Sequence, residues 1–456
     1  MQRGISSSVQ QPEKQLDVII LGGGPAGSTA AALLAGSGLK VRVLEKERFP
    51  RFHVGESLLP YNNGIFEELG IAQEVQDIGF HVKRAAQFWS GAGRPGARLE
   101  FARGSFTEYK HAYQVERSVF DQMLLDNARR KGAEVWEECR YLSHNIEGDG
   151  VSVNCASREG GQQELRARFL IDATGMQAVT ARQSGLRMER DGHRKVALFG
   201  QFEDVLMPSG SFAGDIVLLI RDQAWVWLIP LDEKRTSVGL VMEKAEHAAA
   251  RGDLEGLWQR IVEETPELKR RMAGAKRLGK LHIEADYSFS VKRLVEPRLV
   301  RAGDAAGFLD PVFSSGVMLA MESGRDAARV VAEALRRGQV MTTAMKRYEK
   351  SVHDHLSLFW RFVRAFYTRP FIELFLQPSA HFNLMSAINA VLAGRSRLPW
   401  AARWRLELFF LLVRLQRLIP VARRLRWNDG EPPTLSGKMA EKAGEAERLD
   451  AGVAMQ

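Results

Sequence analysis

The run Gly22-Gly23-Gly24-Pro25-Ala26-Gly27 fits the pattern G-x-G-x-x-G, follows the apolar segment "DVIIL" directly and opens an alanine-rich helical pattern. Glu45 closes the next apolar segment 18 residues beyond Gly27. In that setting Gly22 permits the tight turn, Gly24 lets a pyrophosphate approach the backbone, and Gly27 lets helix pack on strand. The free N–H groups of the helix start hold a diphosphate, with Ala26 inside the turn, while Glu45, followed by Lys46, accepts from ribose hydroxyls. A glycine–aspartate pair, Gly303-Asp304, stands after another apolar segment and before a long helical pattern. The stretch "AWVWLIPL" (224–231) places Trp225 and Trp227 on one face of an extended segment that ends at Pro230, because side chains alternate along a strand. Metal chemistry has no such support. Cys139 and Cys155 lack ligand spacing, and His353-x-His355 on a helix would diverge. No metal site is expected.

These residues need elements to hold them. "LDVIILGGGPAGSTAAALLAGSGLKVRVLEKE" reads as strand, turn, helix and strand, a βαβ unit. Short strands dominate from roughly 135 to 245, a strand and a long helix cover 298–335, and aromatic- and arginine-rich helices occupy 340–427. The chain has 456 residues, 45% apolar and 26% charged, which suits a large globular α/β protein. The expected organisation is a nucleotide-binding Rossmann-like domain from 16–135, 165–185 and 290–345. A β-sheet substrate domain is inserted at 186–289, with parts of 80–115. A helical region covers 346–427 and a loose tail 428–456. Two cysteines and the lack of a signal-peptide pattern point to the cytoplasm. The net charge of +9 is concentrated: Arg395–Trp427 holds nine arginines against Glu407 alone, or +8. The near-neutral remainder gives nucleic-acid binding no support.

The segment "RLVRAGDAAGFLDP" resembles the second FAD fingerprint of the glutathione-reductase and para-hydroxybenzoate-hydroxylase type flavoproteins. "FLIDATG" (169–175) resembles a further element of that group, and Arg117 in "YQVERSVFD" matches an arginine beside its cofactor. The resemblance implies FAD as the cofactor, with Asp304 on the ribityl chain. Single-component hydroxylases of this fold carry an Asp-Gly pair where this chain has Thr174-Gly175. That departure leaves two readings open: drift, or a flavin that arrives already reduced (FADH2) from a separate flavin reductase.

Two further segments make the resemblance specific. "WVWLIP" (225–230) matches the W-x-W-x-I-P signature of the flavin-dependent halogenases, and "FLDPVFSSG" (308–316) matches their second signature, including Pro311 and continuing to Val317. "RFHVGESLLP" (51–60) is similar to the loop after their second strand. The similarity is greatest to the branch acting on phenols or carrier-bound aromatics. It implies that peroxyflavin and chloride or bromide give hypohalous acid. The halide would be held by backbone N–H groups at Ser315 and Gly316, and Trp225, Trp227 and Pro230 would partition flavin from substrate. Lys83 in "GFHVKRAAQF" matches the family lysine that directs the oxidant, with Ala85 where glycine is usual. Tryptophan halogenases carry a glutamate where this chain has Phe313, which argues against an indole substrate. His53, His81 and His111 are candidates for the base that takes a phenolic proton.

The leading expectation is therefore an FADH2-dependent halogenase of an electron-rich phenolic aromatic, either free or carrier-bound. The alternative is an FAD monooxygenase or a geranylgeranyl-reductase-like oxidoreductase. The basic segment 395–427 has three readings: a cover over the substrate channel, peripheral contact with an anionic membrane, or docking of an acidic acyl carrier protein.

Overall fold

Leu16–Leu21 runs between Val41–Leu44 and Gln162–Asp172, parallel to both. It is covered on both faces, which is why its sequence is an unbroken apolar run and not an alternation. The structure is a computed structural model that describes residues 15–424 apart from 94, 159, 190–194, 286–287 and 378–380. The tail expected at 428–456 lies outside the described residues.

Across the first sheet the order is Val295–Glu296, Leu299–Arg301, Gln162–Asp172, Leu16–Leu21, Val41–Leu44, Glu134–Trp136, with an antiparallel extension by Cys139–Ile146 and Val151–Ser157. Helices Pro25–Gly36, Arg117–Arg130 and Gly316–Arg336 pack over one face. The approach is close enough to demand glycine twice. A Cβ on Gly27 would stand 1.9 Å from the Gly22 carbonyl oxygen, and one on Gly324 2.3 Å from that of Ala26.

The second sheet has seven strands in the order Lys276–Ala285, Lys195–Glu203, Arg235–Glu243, Ala224–Pro230, Ile216–Arg221, Ala85–Ser90, Pro95–Glu100. Ala224–Pro230 is central and buried throughout. Val226 and Leu228 face the helices Leu254–Glu264 and Pro266–Met272, while Trp225, Trp227 and Ile229 face the other way. That second face is covered by the C-terminal helices Thr343–Phe366, Arg369–Phe375, Leu384–Leu392 and Trp400–Leu415, which contribute Phe359, Phe362, Phe371 and Phe409. The result is the expected α/β architecture: a nucleotide-binding sheet, an inserted sheet and a helical C-terminal region.

Candidate active site

One cavity of about 440 Å³ joins the two sheets. Its nucleotide end is lined by Gly22, Gly24, Ala26, Glu45, Lys46, Arg117 and Asp304. Gly22 has φ +94°, a conformation that favours glycine, and a Cβ on Gly24 would meet only the Arg51 guanidinium at 3.5 Å, so the turn stays open toward the cavity. Glu45 is buried and accepts from Gly23 N at 2.7 Å and Glu47 N at 2.8 Å. Arg117 is clamped by Asp121 at 2.8 and 2.9 Å and donates to Val54 O at 2.8 Å. Burial pushes the Asp304 carboxyl up to about 7, against the pull of Arg117. A half-buried carboxyl on the cavity wall in that condition suits a hydroxyl-bearing ligand such as a ribityl chain, and the open glycine turn suits a diphosphate. These residues fit FAD.

At its other end the cavity is lined by Trp225, Trp227, Phe308, Pro311, Ser314, Gly316 and Val317, so both signature segments meet on it. Pro230 ends the tryptophan strand and is not in the lining. Ser314 is left-handed, φ 55°, and turns the chain into the helix Gly316–Arg336. Gly316 opens on the large cavity and Ser315 lines a smaller pocket beside it, with Asp304 and His355. Trp227 Nε1 donates to Ser237 Oγ at 3.1 Å, and its ring lies over Gly239, where a Cβ would come within 2.1 Å of it. Trp225 Nε1 donates to Tyr367 Oη at 2.9 Å, and Tyr367 Oη donates to Asp310 Oδ2 at 2.7 Å. Phe313 turns away, edge-on to Phe362 and Phe366.

Lys83 ends the short strand His81–Lys83, paired with Ala112–Gln114. It is 1% exposed and donates to Ser57 Oγ at 2.8 Å and Leu58 O at 2.9 Å. Burial pulls its ammonium down to about 7, with Asp215 opposing. Lys83 does not line the cavity; Ser57 does, and stands between. Of the histidines, His53 lines the cavity with its ring exposed, and the surrounding protein and Arg117 lower its pKa, whereas His81 and His111 lie outside the cavity wall. His353 and His355 do diverge, toward Val291 O and Glu322.

Two features escaped the reading of the sequence. Glu56, in the quoted loop "RFHVGESLLP", lines the cavity at 2% exposure. Its only signal was that it is the one acid of that loop. The Tyr367–Asp310–Trp225 bridge joins positions 57 to 142 residues apart, and no local pattern reports it.

A sequence-family profile described as "FAD binding domain" matches residues 15–363. The chain is 30% identical to the 1H-pyrrole-2-carbonyl-[peptidyl-carrier protein] chlorinase of Pseudomonas fluorescens, over 77% of this chain and 83% of the relative. It is 32% identical to the tryptophan 2-halogenase of Chondromyces crocatus, over 77% of this chain and 67% of that one. Among solved structures, a flavoprotein/dehydrogenase from Cytophaga hutchinsonii superposes with a TM-score of 0.81 at 28% identity, covering 88% of this chain and 99% of the other.

Proposed function

The chain belongs to the flavin-dependent halogenases of the FAD-binding-domain family, and from that premise we propose that it halogenates an electron-rich phenol or pyrrole delivered on a carrier protein, using FADH2 from a separate reductase. When bound, reduced FAD with oxygen supplies the two-electron oxidation that turns chloride or bromide into hypohalous acid. The chain's own residues do the rest. The glycine turn and Glu45 hold the nucleotide end, Arg117 and Asp304 the middle. The N–H groups at Ser315 and Gly316 offer partial positive charge to a halide. Trp225 and Trp227, locked by Ser237 and Tyr367, form the wall that keeps substrate from the flavin.

Lys83 carries this reading. A wholly buried lysine without a carboxylate in contact has few structural uses, and this one reaches the cavity wall through Ser57. Near neutrality it is present both as ammonium, which polarises the oxygen of hypohalous acid, and as amine, which accepts the halogen. The pyrrolyl-carrier chlorinase among the relatives supports the carrier. Thr174 supports the reductase, standing where single-component enzymes have their aspartate and donating to Asp172 at 2.6 Å.

The test supplies FAD, an independent flavin reductase, NADH, oxygen and bromide, with free and carrier-linked phenols and pyrroles. Products are read by mass for the bromine doublet. Wild-type protein should give brominated product, and Lys83→Ala should lower it by at least about a hundredfold with FAD affinity unchanged. Protein without the reductase should consume no NADH. A hydroxylated product that survives Lys83→Ala would instead make the protein a monooxygenase.

A further inference from the structure

Glu56 has no part in the chemistry just described, yet it is buried and Oε2 has no hydrogen-bond partner. The residue lines the same cavity as the glycine turn and the two tryptophans. Ser237 and Gln201 face its carboxyl from the seven-stranded sheet, and Ser237 also accepts from Trp227. On the other side the next residue, Ser57, accepts from Lys83. Glu56 therefore sits where the wall, the lysine and the cofactor cavity meet.

A carboxyl so placed has two electrostatic personalities. Protonated, the carboxyl can donate a hydrogen bond to a ligand in the cavity it lines; ionised, it puts a negative charge there and repels anions. A halide is an anion that must enter this same cavity. We propose that Glu56 is a halide-admitting residue, which in its neutral acid form donates from its carboxyl to chloride or bromide and in its anionic form excludes it. The inference rests on the halogenase reading above.

Its neighbours decide how it titrates. Arg117 and Glu116 face it from the start of the helix Arg117–Arg130, and Glu116 is paired with Arg235. Arg51 and His53 come from its own loop, Asp304 from the second FAD segment, and Lys83 and Asp215 stand behind Ser57. Burial raises Glu56 to about 7 despite Ser237, Arg117 and Gln201, and Glu116 adds to the rise. His53 is neutral at that pH and Arg117 is charged. Lys83 and Asp304 titrate in the same range; Glu56→Gln, which leaves both in place, isolates the contribution of Glu56.

The experiment titrates FAD-loaded, oxidised protein with bromide and iodide from pH 6 to 9 and follows flavin fluorescence and absorbance. For wild type the halide dissociation constant should climb above pH 7, approaching about tenfold per pH unit. Glu56→Gln, which keeps a donor and loses the charge, should stay near the wild-type pH 6 value throughout. Lys83→Met should keep the wild-type slope. FAD affinity measured on each variant reports folding. A flat wild-type profile, a Glu56→Gln profile with the wild-type slope, or loss of the slope in Lys83→Met overturns the assignment. A pH-independent halide site defeats Glu56 alone. No halide effect at any pH in FAD-bound protein defeats the halogenase reading as well.

Discussion

Lys83 was picked out by its place in a segment resembling a family motif; the chemical reason for the choice became visible only in three dimensions. Its neighbours in sequence, His81, Val82 and Arg84, say nothing of burial, and a lysine in water is the usual case. The fold instead takes it into a site with two neutral acceptors, Ser57 Oγ and Leu58 O. Burial then destabilises the charged form. The sign of the consequence is definite. The unfolded chain keeps this lysine protonated to about 10.4, whereas the folded chain loses the proton near 7. Between those values the unfolded state binds more protons, so Lys83 contributes a penalty that is full below pH 7 and fades as pH rises. Compared with Lys83→Met, wild-type protein should gain stability by up to about 1.4 kcal/mol per pH unit from pH 7 to 10, and nothing from pH 5 to 6.5. Urea unfolding of both proteins across that range checks it. A constant difference would mean that the folded state keeps the ammonium, and the amine route for halogen transfer would go with it.

Strand, loop and helix meet at Tyr367. Its hydroxyl accepts from the indole of Trp225 on the central strand and donates to Asp310, whose other oxygen accepts from Val312 N and caps the turn of the second signature. Lys195 lies 4.1 Å over the ring. Burial holds the Asp310 carboxyl up at about 6, with Tyr367 and Val312 pulling it down. The C-terminal helices thus fix the angle between the two signatures as well as covering the sheet. Tyr367→Phe removes the hydroxyl and leaves Asp310 Oδ2 and Trp225 Nε1 each short of it, a loss of about 1–3 kcal/mol for each buried group. Thermal unfolding should shift down accordingly, and FAD affinity should fall because Pro311 and Val317 line the cavity from the loosened loop. Unchanged FAD affinity with a lowered midpoint would reduce the bridge to a structural tie. The strand itself was legible, since an apolar run with alternating tryptophans has one geometric meaning. Its partner was not, because Tyr367 lies 142 residues away and ends a helix whose pattern encodes only its own buried face.

Both sheets and the nucleotide turn could be read from the chain because each rests on local periodicity or on glycine. The route by which substrate enters depends on surfaces, and surfaces carry weak patterns. The helix Trp400–Leu415 buries Ala402, Leu406, Phe409, Phe410 and Val413 against the core, and turns Trp400, Arg403, Leu411 and Arg414 to solvent. Its one acid, Glu407, is already held by both Arg361 nitrogens at 2.6 and 2.8 Å. Arg417, Leu418, Ile419, Arg423 and Arg424 continue the exposed basic and apolar face. Among the described residues no helix is long and apolar enough to cross a membrane. If the substrate arrives on an acidic carrier, this face steers it, and the steering must weaken as salt shortens the range of the charges. The kcat/KM for a carrier-linked aromatic should then fall by about tenfold between 50 and 400 mM salt, while that for the free aromatic changes little. Arg403→Glu with Arg414→Glu should reproduce the loss at low salt. Equal salt sensitivity for free and carrier-linked substrates would remove the carrier from this face. Cosedimentation of the wild type, but not the double variant, with vesicles rich in anionic lipid would assign the face to a membrane surface instead.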